Sequence, residues 1–171
     1  MNVSDSTIQS LYKLNGLFFE MNRYVDRLVS VLGVTFVCPT ASKILHTEVA
    51  HWYSSVADTV NERCLENFNI EVVYPATPSG EETYDNLIDM FEKLLNKTIE
   101  FQNSLMATIE VALENKDRLI VVELDKVLLE VNTQVAKALM VRDKAEQYGE
   151  DYAGFDDHFP HFFFDRELKG E

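Results

Sequence analysis

The sequence predicts an all-α protein, and three observations carry that prediction. Apolar residues recur every three or four positions along four long stretches. Gly and Pro, with 6 and 4 copies, fall mostly at the breaks between those stretches. The one strand-like run, Leu119-Ile120-Val121-Val122, has no convincing partner run elsewhere.

The first stretch runs from about Asp5 to Leu32, with Leu14, Leu17, Met21, Tyr24, Leu28 and Val31 on one helical face. Gly33 and Pro39 end it. The second runs from about Ala41 to Glu66, with Thr40 as N-cap and a stripe of Leu45, Val49, Trp52, Val56 and Val60. The third runs from about Gly80 to Glu114; Ser79-Gly80-Glu81-Glu82 reads as a capping box. Its stripe is Tyr84, Leu87, Phe91, Leu94, Phe101, Leu105, Ile109 and Ala112. The fourth runs from about Arg118 to Gln147, capped by Asp117, with Leu124, Val127, Leu128, Val131, Val135, Ala138 and Leu139 inward.

Connection lengths turn four helices into a topology. The first and last links are short and suit antiparallel neighbours, whereas Asn67 to Ser79, with Pro75 and Pro78, is long. Thirteen extended residues reach about 45 Å and a 26-residue helix is about 39 Å long, so the middle link can return along the whole bundle. Short, long, short is a four-helix bundle with a long crossover between helices two and three.

Composition narrows the function classes. A chain of 171 residues with 46% apolar content suits one folded domain and excludes disordered and collagen-like classes. The net charge of −14 argues against unaided binding to nucleic acid or an anionic membrane. No apolar run is long enough to span a bilayer, and Met1-Asn2-Val3-Ser4-Asp5 opens no secretory signal. Cys38 and Cys64 form no disulfide framework, so free thiols and a cytoplasmic location are expected. No nucleophile triad, phosphate-binding glycine loop or zinc cysteine cluster is present.

The second stretch holds the candidate chemistry. At about 100° per residue, Glu48, His51, Asp58 and Glu62 share a face roughly 80° to 160° from the apolar stripe. Glu48 and His51 form Glu-x-x-His, and Asp58 and Glu62 form Asp-x-x-x-Glu. Carboxylate oxygen with neutral imidazole suits iron or manganese. The same residues also make an ordinary solvated face in an acidic protein, with Arg23 and Arg27 available to pair with such acids across an interface.

The bundle pattern, Glu20 on the first helix and Glu48-Val49-Ala50-His51 on the second resemble the ferritin-like superfamily over about residues 8 to 148. Two branches are similar in different ways. For the ferritin branch, Gln134-Val135-Ala136-Lys137-Ala138 resembles the fourth helix, and the resemblance implies an intrabundle site of Glu20, Glu48, His51, Glu100 and Gln134. Helical period instead puts Glu100, Glu130 and Gln134 off their stripes. For the mini-ferritin (Dps-like) branch, Asp58-Thr59-Val60-Asn61-Glu62-Arg63 is similar to a ligand segment that works at a two-fold subunit interface. That branch is preferred, although the first helix has no His and Leu45-His46 stands three residues too close to Asp58.

The resemblance implies metal ligands Glu20, Glu48, His51, Asp58 and Glu62, and a pair of iron ions with manganese as the alternative ion. It implies Fe(II) oxidation by O₂ or peroxide (a ferroxidase), iron storage or protection from oxidative damage, and a homo-oligomer such as a cage. The alternative is a metal-free structural or scaffolding oligomer of the same fold. The expected organisation is a bundle domain over 1–148 and an acidic aromatic tail over 149–171. The tail carries Tyr152, Phe155, Phe159, Phe162, Phe163 and Phe164 beside Glu150, Asp151, Asp156, Asp157, Asp165, Glu167 and Glu171. Such aromatic density predicts docking on the bundle or a neighbouring subunit; Asp156-Asp157-His158 with His161 is a minor metal candidate.

Overall fold

The structure, a computed structural model, describes residues 2–168, with side chains to residue 165. Its long helices are α1 (Asp5–Val34), α2, α3 (Leu87–Glu114), α4 (Arg118–Tyr148) and α5 (Tyr152–Leu168). Helix α2 runs without a break through Pro39–Leu45, a π-helical turn His46–Ala50, and His51–Cys64. Among the described residues there is no strand, and Leu119 to Val122 lie in the first turns of α4. Four of the helices form the bundle, with α1 packed on α2 and α3, and α4 on α3 and α2.

The π turn changes the register of α2. Leu45, just upstream, and Val49, within the turn, are buried as the stripe predicts. Downstream, the inward residues are Tyr53, Ala57, Val60 and Cys64, while Trp52 and Val56 are only partly buried. One extra residue in the turn moves the following stripe by one position. In α4, Gln134 is buried where the stripe left it outside, and Leu139 is 38% exposed. Every residue of the third predicted stripe is buried, although Tyr84 lies ahead of α3 rather than in it.

One helix start and two expected caps differ in the structure. Helix α3 begins at Leu87, not Gly80, because Asn86 accepts the Asp89 N–H at 2.8 Å. Residues 79–86 instead extend the crossover along α1. Asp117 occupies the N-cap position of α4 as expected, but its side chain makes no cap bond; its carboxylate accepts the Ser4 N–H at 3.3 Å instead. Thr40 lies inside α2, whose N-terminus is capped from a distance. Asp156 of α5 accepts the N–H of Ala41 at 2.8 Å and of Thr40 at 3.2 Å.

The tail therefore docks on the bundle of its own chain. Phe155, Phe159 and Phe163 of α5 are fully buried, against α2 and α4. Phe36 meets Tyr152 edge-on at 5.5 Å, next to the buried Cys38. Lys169 and Glu171 lie outside the described residues.

The crossover is strapped along α1 by side chains of that helix. Tyr12 Oη donates to Glu71 O at 2.9 Å, and Asn15 Nδ2 donates to Val73 O at 2.8 Å. Asn15 Oδ1 in turn accepts from Asn61 Nδ2 at 2.9 Å, so α1, α2 and the strap share one buried amide pair. Gly16 lets Pro75 rest on the helix, since a Cβ there would stand 3.0 Å from Pro75 Cγ. Arg27 Nε donates to Glu82 O at 3.1 Å, and Arg23 lies 4.0 Å from the Glu82 carboxylate. Arg23 and Arg27 thus hold the strap.

Candidate metal face

The two predicted locations for a site differ sharply in the structure. The bundle interior at mid-height is filled by rings. Phe18 and Phe101 meet at 4.9 Å, and Tyr53 and Phe101 at 5.3 Å. The Tyr53 hydroxyl is buried without a hydrogen-bond partner, and burial pushes its pKa well above the usual value. Its polar neighbours are Thr98 and the buried Gln134. Thr98 Oγ1 itself donates to Leu94 O at 2.7 Å.

The acids that the intrabundle reading needs sit at the edges of this interior. Glu20 faces α3, where Lys97 Nζ lies 3.0 Å from its Oε1. Glu100 is exposed, as the helical period predicts. Glu130 is exposed and accepts from Trp52 Nε1 at 3.3 Å. Glu20 and Glu100 line one pocket at the α1–α3 seam with Lys97 and Phe101, whereas Gln134 is buried on α4 beside the aromatic filling.

The outer face of α2 is different. Downstream of the π turn, His51, Asp58 and Glu62 are exposed, on the side opposite Tyr53, Ala57, Val60 and Cys64. Glu48 is half-buried within the π turn. Glu20 belongs to the separate α1–α3 seam. Among the described residues, no three His, Cys, Asp or Glu side chains are placed to hold a metal within one chain. Asp156 is engaged by backbone N–H groups, which leaves the tail candidate without its first carboxylate.

One cluster went unnoticed in the sequence. His46 Nδ1 lies 3.1 Å from Asp26 Oδ1, and its ring meets that of His51 at 4.3 Å. A spacing of five does not align residues on an α-helix, so only the π turn reveals the pair.

Neither a family model nor a curated protein sequence matches this chain. Solved structures do. An open pore ferritin from the hyperthermophilic archaeon Archaeoglobus fulgidus is similar with a TM-score of 0.75 at 16% identity, covering 95% of this chain and 99% of that one. A closed form of the same ferritin, engineered by site-directed mutagenesis, gives 0.75 at 17%, covering 95% and 98%. A humanized archaeal ferritin gives 0.77 at 14%, again covering 95% and 98%. The chain thus has the ferritin-like four-helix fold. No helix among the described residues is long and apolar enough to cross a membrane.

Proposed function

We propose that this chain is a ferritin-like iron-binding protein that oxidises Fe(II) with O₂ or peroxide on the outer face of α2. The observation that carries this reading is the open row of His51, Asp58 and Glu62, with Glu48 one turn upstream, on a fold shared with ferritins. Exposed carboxylates with one imidazole suit Fe(II) as a substrate, and the surrounding acidity draws cations toward them. One chain does not close a shell, so the reading requires a homo-oligomer in which a second copy faces this helix. Carboxylates bind and release the ions, and His51 supplies the nitrogen ligand; manganese suits the same donors. Storage of the oxidised product and protection from oxidative damage follow if the oligomer encloses space. A cytoplasmic setting, with both thiols free, suits this chemistry.

A second reading rests on a specific observation. Lys97 neutralises Glu20 and aromatic rings fill the mid-bundle, as in a bundle kept for structure alone. A metal-free scaffolding oligomer would look like this.

Aerobic Fe(II) loading followed by size-exclusion chromatography with light scattering separates the two. The iron reading expects a multimer holding about two irons per site and oxidation lost in Asp58→Ala/Glu62→Ala. A multimer without iron supports the scaffold, and a monomer without iron uptake removes both.

A further inference from the structure

We propose that His46 and His51 form a two-imidazole site for a late first-row divalent cation (copper(II), nickel(II) or zinc(II)), with Asp26 as the positioning residue for His46. Two residues five apart on an α-helix point about 140° from each other. Here the His51 N–H bonds to His46 O, the five-residue hydrogen bond of a π turn, and the two rings meet at 4.3 Å with an interplanar angle of 63°. The turn is braced from α1 at both ends. Asn22 Nδ2 donates to Ala50 O at 2.7 Å, and Asp26 Oδ1 lies 3.1 Å from His46 Nδ1.

The Asp26 contact decides the tautomer. A carboxylate accepts only, so in the neutral ring His46 Nδ1 carries the proton and Nε2 is the nitrogen left for an ion. A carboxylate behind a ligating imidazole fixes the ring and raises its basicity. His51 is exposed, and His46 and Asp26 are 46% and 42% exposed at their side chains, so both rings can open toward an ion. Water fills the remaining positions, in keeping with the lack of a third protein ligand. Imidazole pairs favour copper, nickel and zinc over magnesium and calcium.

The site shares His51 with the iron face but does not rest on it, since it needs one chain and no oxidation. The chain supplies its own reporter, because Trp52 is its only tryptophan and adjoins His51. Full-length protein, stripped with a chelator, is titrated with copper(II) or nickel(II) while Trp52 fluorescence is followed. Saturable quenching at one ion per chain, reversed by excess chelator, is expected. H46Q and H51Q should each abolish the saturable phase, and D26N should weaken it about 10- to 100-fold. H158Q/H161Q, which removes the other two histidines, should leave it intact. Absence of saturable quenching, its survival in H46Q, or its loss in H158Q/H161Q overturns the proposal. Circular dichroism confirms that each variant is folded, and H46Q and D26N test the site without touching a residue of the iron face. The variant Asp58→Ala/Glu62→Ala should keep copper quenching while losing iron oxidation, so failure of one reading is distinct from failure of the other.

Discussion

Asp156 on α5 accepts the backbone N–H of Ala41 on α2 at 2.8 Å, across 115 positions of sequence. Asp156 is 7% exposed, and the N–H groups at the N-terminus of α2 compensate its burial. Asp156→Ala should lower stability by about 1–2 kcal/mol, the usual cost of a lost N-cap, with Asp156→Asn much closer to the parent. Urea unfolding of both variants measures this. Equal losses would show that the charge, not the hydrogen bonding, matters.

Tyr53 carries the opposite expectation. Its hydroxyl is buried with no hydrogen-bond partner. Removing an unsatisfied polar atom without changing shape relieves a desolvation cost, so Tyr53→Phe should be neutral or stabilising by up to about 1 kcal/mol. A clear loss of stability in thermal unfolding would mean that the hydroxyl is satisfied by Thr98 or water.

Cys38 and Cys64 give the molecule a pH dependence on its alkaline side. Burial, and then the nearby Asp156, pushes the Cys38 thiol up from its ordinary 9.0 to about 11. Burial, and then Glu123, pushes Cys64 up to about 12, with Arg63 opposing. Above pH 9 the unfolded chain loses these protons before the folded one does, so the folded state binds more protons and stability falls as pH rises. The decline should begin near 9.0, continue to about 11–12, and diminish in Cys38→Ala/Cys64→Ala. Denaturation midpoints against pH check it. Both thiols should also react slowly with alkylating agents in the native state, since the thiolate is the nucleophile.

Asn15 ties the strap to the bundle through Val73 O and Asn61. Asn15→Ala leaves both partners without it and should cost about 1–3 kcal/mol. Hydrogen exchange should show the loss first in residues 70–80, before the helices open. Uniform loss of protection would mean that the strap and bundle unfold as one unit.

Glu20→Gln should leave Fe(II) oxidation unchanged. Lys97 holds that carboxylate at 3.0 Å, on a seam apart from the outer face of α2. Stopped-flow absorbance after mixing with Fe(II) reads the rate, and a large loss would place the chemistry inside the bundle.

Much of the architecture was legible because it is periodic. The seven stripe residues that lie in α3 are buried as their spacing requires, and Tyr84 is buried from the strap; the crossover falls between the second and third helices. What escaped has no local signature. The strap claims residues 79–86 through Arg23 and Arg27, so a plausible capping box at Ser79 never starts a helix. The cap of α2 comes from Asp156, beyond the reach of any local motif. The candidate face was partly legible: Asp58 and Glu62 keep their spacing on regular α-helix, whereas the partnership of His46 and His51 exists only through an irregular turn.

That turn lets α2 carry one residue more than its packing uses. Deleting one residue between His46 and Ala50 would leave an ordinary α-helix with Tyr53 and Ala57 still inward and the acidic row still outward. Forcing α-helical pitch through the turn with every residue kept would instead rotate the 14 residues of His51–Cys64 by about 100° and carry Trp52 and Val56 inward. The turn thus buffers a lost codon within it, whereas the same loss further along α2 would turn everything beyond it out of register.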